Sequence, residues 1–207
     1  MSSPYEDALH GEYDSRVATL GRIKAKSIGA DELTLRALQI LVYAQLEGGV
    51  KSLSAILLKD LNRRRLPVGL INPTILSWRN KNDLSRFKAA VNFSMVAISS
   101  PFGPLLARTE KVKSINRKYE LNQMGWSSLA TIYSGLDLDI SSITAHRQTI
   151  EEIVEERNNA AHHGTWTPKS LTLLENQLRS NVDAVESVLT DFSINLLGFF
   201  IGNKHLR

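Results

Sequence analysis

Cysteine is absent from this 207-residue sequence. That excludes disulfides, thiolate metal ligands and cysteine nucleophiles. No HxxxH or HExxH spacing occurs, so the five histidines offer no familiar metal site. A Walker A pattern and a glycine-rich dinucleotide turn are also missing. There is no internal repeat, no low-complexity tract and no composition shift that marks a linker. The start, MSSPYEDALHGEYD, is polar and acidic and lacks the basic-then-apolar order of a secretory signal. The longest apolar run, LLGFFIG at 196–202, is far too short to cross a bilayer. A cytoplasmic protein with no membrane partner and no cofactor is the expectation.

What is present fits one globular domain over residues 1–207. Hydrophobic residues make up 43% and charged residues 22%, enough for one sizeable core. The formal charge is +4 and the sequence pI about 9.4. This permits a nucleic-acid partner without establishing one. Basic residues cluster at Arg63, Arg64 and Arg65, and in KVKSINRK between Lys111 and Lys118. Each cluster reads either as a solvated helix end or loop, or as a set of phosphate contacts.

Helical periodicity dominates. Tyr5, Leu9, Tyr13, Val17, Leu20 and Ile23 recur in steps of three and four, predicting a helix over 4–28 that ends at Gly29. Asp31 is a suitable N-cap for the next helix. That helix is apolar around much of its circumference, must stop before Pro67, and carries Gly48 and Gly49, where it can kink or admit another backbone. Prolines 67, 73, 101 and 104 break residues 66–121 into short pieces. Within them one helix is expected over NDLSRFKAAVNFSMVAIS, capped by Asn82 or Asp83, followed by irregular chain. A short helix is expected from about Leu121 to Leu136. Another is expected to be capped by Ser141 or Ser142 and stopped by Gly164. A last long helix opens at Thr167-Pro168. No segment alternates as a strand does. The fold class is all-α: a bundle of long antiparallel helices with shorter irregular ones in the middle region.

The end of the fifth of these helices, EERNNAAHHG at 155–164, departs from the pattern. At about 100° per residue, Arg157 falls in the middle of the apolar face marked by Ile150, Val154 and Ala161. Glu151, Glu155, Asn158 and His162 form a polar stripe along one edge. His163, Asn159, Glu152 and Glu156 lie on the far side. An arginine aimed at a core needs partners there. Either it pairs with a carboxylate on another helix, or its face lines a groove or subunit interface where it meets an anionic ligand. His162, in the last turn, is either an ordinary C-terminal cap or an acid/base group near neutrality, with Glu155 beside it.

Arg157-Asn158-Asn159-Ala160-Ala161-His162 resembles the signature of the HEPN superfamily: an arginine, a polar residue, and a histidine after a gap of four to six. His163 fits the same signature with a gap of five. RNNAAHHGTW is similar to the RN-x-x-AHG ending of small bacterial members, with a second histidine inserted. LQILVYAQLEGGVKSLSAILL resembles their long second helix, with Glu47 where they often carry a glutamate. The resemblance implies a metal-independent endoribonuclease, often a toxin or defence component, working as a homodimer. It implies catalytic roles for Arg157, Asn158 and His162, with Glu155, His163 and Glu47 as supporting residues. A composite cleft on the two-fold axis would also unite Arg157 and His162, which diverge by about 140° on an ideal helix. Three other readings stay open: a non-catalytic nucleotide- or protein-binding module, the toxin half of a pair silenced by an antitoxin or nucleotidyltransferase partner acting on a tyrosine near the cleft, and a structural helical protein with Arg157 in an ion pair.

Overall fold

The computed structural model describes residues 3–65, 124–163 and 169–201, with backbone alone for 162, 163 and 201. The helix expected near residues 82–99, the irregular stretch after it, Lys111–Lys118, Gly164 and Pro168 lie outside the described residues. Five α-helices are described: α1 Pro4–Lys26, α2 Glu32–Arg64, α3 Trp126–Gly135, α4 Arg147–Asn158 and α5 Leu171–Ile201. No strand occurs among the described residues.

Local chemistry sets the helix ends. Ser3 and Glu6 form a reciprocal capping box at the start of α1, and Pro4 occupies its first turn. The Asp31 carboxylate accepts from the Thr34 N–H at 2.7 Å, and that bond holds its pKa below the usual carboxylate value. Arg65 closes α2 in the left-handed region, at φ 47°. Three starts differ from expectation. Ser141 opens a 3-10 turn, Ser141–His146, before α4 begins at Arg147. The Ser141 hydroxyl donates to Asp139 instead of capping a helix. The last helix begins at Leu171, where the Ser170 hydroxyl accepts from the Leu173 N–H, and α3 begins at Trp126 rather than near Leu121.

Helix α2 lies against α1, α4 and α5. Helix α1 runs antiparallel to α5: Tyr5 donates to the Leu196 carbonyl, Tyr13 meets Thr190, and Lys24 pairs with Asp183. It is also antiparallel to α2, where Arg16 reaches Gln45 and Ser52. The core is largely aliphatic, with Leu46, Leu53, Leu57, Leu178, Val185 and Leu189 fully enclosed and Phe192 and Phe199 at its α5 end. Phe192 lies beside Tyr133, their ring centroids 5.5 Å apart, and the Tyr133 hydroxyl donates to Asp191 at 2.8 Å. By length and composition α2 is apolar enough to span a membrane. Here it is the central helix, and its buried residues belong to the shared core.

The glycine pair in α2 does not break the helix; it lets its neighbours approach. A Cβ at Gly49 would stand 2.7 Å from Leu189 Cδ2 and 3.1 Å from Cδ1, in a fully enclosed side chain. A Cβ at Gly48 would meet only the Arg16 guanidinium, at 2.8 Å, the far end of a long side chain. The two positions should therefore respond differently. Gly49→Val is expected to cost about 2 kcal/mol by overpacking, lowering Tm by roughly 4–8 °C for a chain of this size. At Gly48, alanine recovers up to about 1 kcal/mol of helix propensity, which offsets the displaced arginine. Urea unfolding of both variants checks this; equal losses at the two positions would contradict it.

Candidate active site

Helix α4 buries Ile150 and Ile153 and half-buries Val154. Arg157 continues that face, as the wheel requires, and is itself half-buried. Its guanidinium carbon stands 5.3 Å from the centroid of the Tyr43 ring, projected from α2. This is a cation–π arrangement. Nη1 also donates to the Asn158 side-chain oxygen at 3.1 Å. Among the described residues no carboxylate is ion-paired with Arg157. Of the two accounts open for this arginine, the buried carboxylate partner has no counterpart among those residues. Ala161, expected on the same apolar face, is exposed.

Tyr43 was not legible as a site residue, being one aromatic on a helix that is apolar nearly all round. It is buried, and its hydroxyl accepts from the Met124 N–H at 3.0 Å. Burial raises its pKa above the ordinary tyrosine value and Glu47 adds to the rise, while the Met124 N–H and the Arg157 charge oppose it. Glu47 lies one turn further along α2. Its carboxylate stands near enough to Tyr43 to raise that hydroxyl's pKa, and it pairs with Lys51 at 2.5 Å. Arg157, Tyr43 and Glu47 thus form one connected group, bounded by the Met124-Gly125 strap, where Gly125 faces Val154.

Asn158 belongs to this group through its bond to Arg157. Glu155 does not. It is exposed and lines a separate cleft of 470 Å³ toward α5, with Glu152, Glu156, Asn159, Lys169 and Gln177. The far side of the wheel therefore faces the start of α5. Lys169 donates to Glu156 there at 2.5 Å and to Gln177 at 2.7 Å.

Beyond Asn158 the backbone changes. Residues Asn159–His163 form a single π turn, a rare form in which hydrogen bonds close on the fifth residue and which recurs at functional sites. This corrects the ideal-helix geometry. Each residue then turns the chain by less than about 100°, and the divergence between positions 157 and 162 falls well below the ideal-helix value of about 140°. The backbone register thus turns position 162 toward the Arg157 side within one chain, and position 163 away from it.

A family model described as RiboL-PSP-HEPN matches residues 14–196. The chain belongs to this family. Nothing matches among curated proteins or among solved structures. The match runs from within α1 to near the end of α5, so all of α2, the greater part of α1 and of α5, and the Arg157–His163 segment fall inside it. The all-α architecture is that of a HEPN domain. HEPN modules are often ribonucleases; in this RiboL-PSP-HEPN protein Arg157 stands in the last turn of α4 and His162 in the π turn after it.

Proposed function

We propose that this RiboL-PSP-HEPN protein is an endoribonuclease that cleaves RNA without a metal, at a site made by Arg157, Asn158 and His162 and completed by a second copy of the chain. The observation that carries the reading is the Arg157 guanidinium. It is held over an aromatic face, with no carboxylate neutralising it among the described residues, beside a π turn that brings position 162 round to its side.

Cleavage of this kind uses the ribose 2′-hydroxyl as nucleophile. It attacks phosphorus, the bond to the 5′-oxygen breaks, and a 2′,3′-cyclic phosphate and a 5′-hydroxyl are left. The reaction needs a base for the 2′-hydroxyl, an acid for the leaving oxygen and a cation for the five-coordinate phosphorus. His162 serves as base or acid, and its symmetry mate in a homodimer supplies the complementary role. Arg157 presents a planar fork of donors to the phosphate oxygens. Asn158 orients that fork, and Glu47 acts through Tyr43 as a support. Such an enzyme suits a toxin or defence component restrained by an antitoxin or nucleotidyltransferase partner, with the cytoplasm as its place of action.

The deciding experiment is incubation with labelled RNA in the presence of chelator, followed by analysis of product ends. Cyclic phosphate and 5′-hydroxyl termini are expected, with a substrate carrying 2′-deoxyribose at the scissile position resisting. Cleavage that requires added metal, or leaves 3′-hydroxyl ends, would overturn the mechanism. RNA binding without cleavage would favour the non-catalytic module. Light scattering should give a dimer at micromolar concentration, and a strict monomer that still cleaves would remove the composite site.

A further inference from the structure

We propose that Lys169 is a positioning residue that holds the Arg157–His163 turn in register by clasping Glu156 to Gln177. This rests on the ribonuclease reading of that turn. Glu156 immediately precedes Arg157, so whatever fixes Glu156 fixes the rotation of the last α-helical turn before the backbone changes to π geometry. Lys169 lies thirteen residues on, just ahead of α5, and its ammonium bridges Glu156 at 2.5 Å and Gln177 at 2.7 Å. Gln177 sits between Leu174 and Leu178, which are locked in the core. The chain of support thus runs from the core through Gln177 and Lys169 to Glu156, and from there to the signature residues.

Two features mark the clasp as more than a surface pair. Its side chains are only 17% and 13% exposed, the most enclosed of the ion pairs among the described residues. Partial enclosure reduces the screening that makes exposed pairs nearly worthless. The cleft it closes also contains Glu152 and Glu155, and Lys169 is the only cation among its described lining residues. Without that ammonium, three carboxylates face one cleft and repel. Glu156 is then driven outward, and the end of α4 loses the anchor that keeps it turned. A π turn carries an extra residue relative to an α-helix and is rarely stable by itself. Relaxation to α geometry would return position 162 to the far side from Arg157 while leaving the bundle untouched.

The test compares wild type, Lys169→Ala, Lys169→Arg and the charge swap Glu156→Lys/Lys169→Glu, using hydrogen exchange by mass spectrometry and RNA-cleavage kinetics. In Lys169→Ala the 159–163 amides should exchange about ten-fold faster, with α1 and α2 unchanged. kcat should fall roughly 10- to 100-fold at a KM within about two-fold of wild type, because a misplaced group costs transition-state rather than ground-state binding. The arginine variant and the swap should restore most of both. Amides 159–163 that are unprotected in wild type, or unchanged in Lys169→Ala, would overturn the clasp whatever the activity. A lowered Tm with unchanged kcat would reduce Lys169 to a stability contact. If wild type cleaves no RNA, the function reading fails and the exchange data still decide the clasp.

Discussion

Arg157→Ala is expected to lose RNA cleavage by about 10²–10³-fold while folding normally. The rate loss follows from the charge on the five-coordinate phosphorus, where one well-placed donor is worth roughly 3–4 kcal/mol. Normal folding follows from the surroundings. An arginine that neutralises a buried carboxylate strands that charge when removed, at a cost of roughly 3–5 kcal/mol. Arg157 has no such partner among the described residues. It stands on the Tyr43 ring, a contact worth about 0.5–1 kcal/mol at a partly exposed site. The expected fall in Tm is therefore only about 1–4 °C. Two guanidinium groups facing each other across a dimer axis would reduce it further by removing mutual repulsion. Arg157→Lys keeps the charge but loses the fork, and should recover little activity. A melting curve and a cleavage assay on both variants decide the matter. Collapse of Tm in Arg157→Ala, with normal specific activity in the folded fraction, would show a structural arginine instead.

The two adjacent histidines should part company just as widely. His162→Ala is expected to abolish measurable cleavage, since loss of a general acid or base costs about 10²–10⁴-fold. His163→Ala should cost less than about ten-fold. The π turn supplies the reason. In its register position 162 comes round toward Arg157, whereas position 163 falls beyond it by a further step. Steady-state kinetics on the two single variants, with circular dichroism to confirm helicity, test the ranking. The reverse order would show that the five-residue gap is the working one and that the register argument selects the wrong histidine.

Much of this architecture was legible in the sequence, because the signals are local and strong. Asp31 before an apolar run marks a helix start, and the spacing of Leu174, Leu178, Val182, Val185, Leu189 and Phe192 marks the buried stripe of α5. The placement of Arg157 on an apolar face followed from angular counting and holds, since the chain is α-helical up to Asn158. What stayed hidden depends on tertiary partners. Asparagine, alanine and histidine suit an α-turn as well as a π turn, so nothing in NNAAHH announces the change of register. Lys169 reads as a first-turn residue of a helix opening at Thr167-Pro168 until its contact with Glu156 is seen. Ser141 has the right chemistry for a cap, but Asp139, two residues earlier, takes its hydroxyl first. Glu155 lies next to the motif in sequence, yet it points into a different cleft.

The support beneath Arg157 has a mechanical consequence. A carboxylate grips a guanidinium with directional bonds, and any lateral shift stretches them. The face of an aromatic ring offers attraction with little preferred direction in its own plane. Over Tyr43, whose hydroxyl is pinned by the Met124 N–H, the cation keeps its height while sliding by fractions of an ångström at small cost. In the proposed transesterification, phosphorus bound there would pass from four to five substituents and its oxygens would spread apart. A guanidinium resting on a ring could follow that spread without leaving its support, so the platform would give the proposed site compliance in the one plane where the reaction moves.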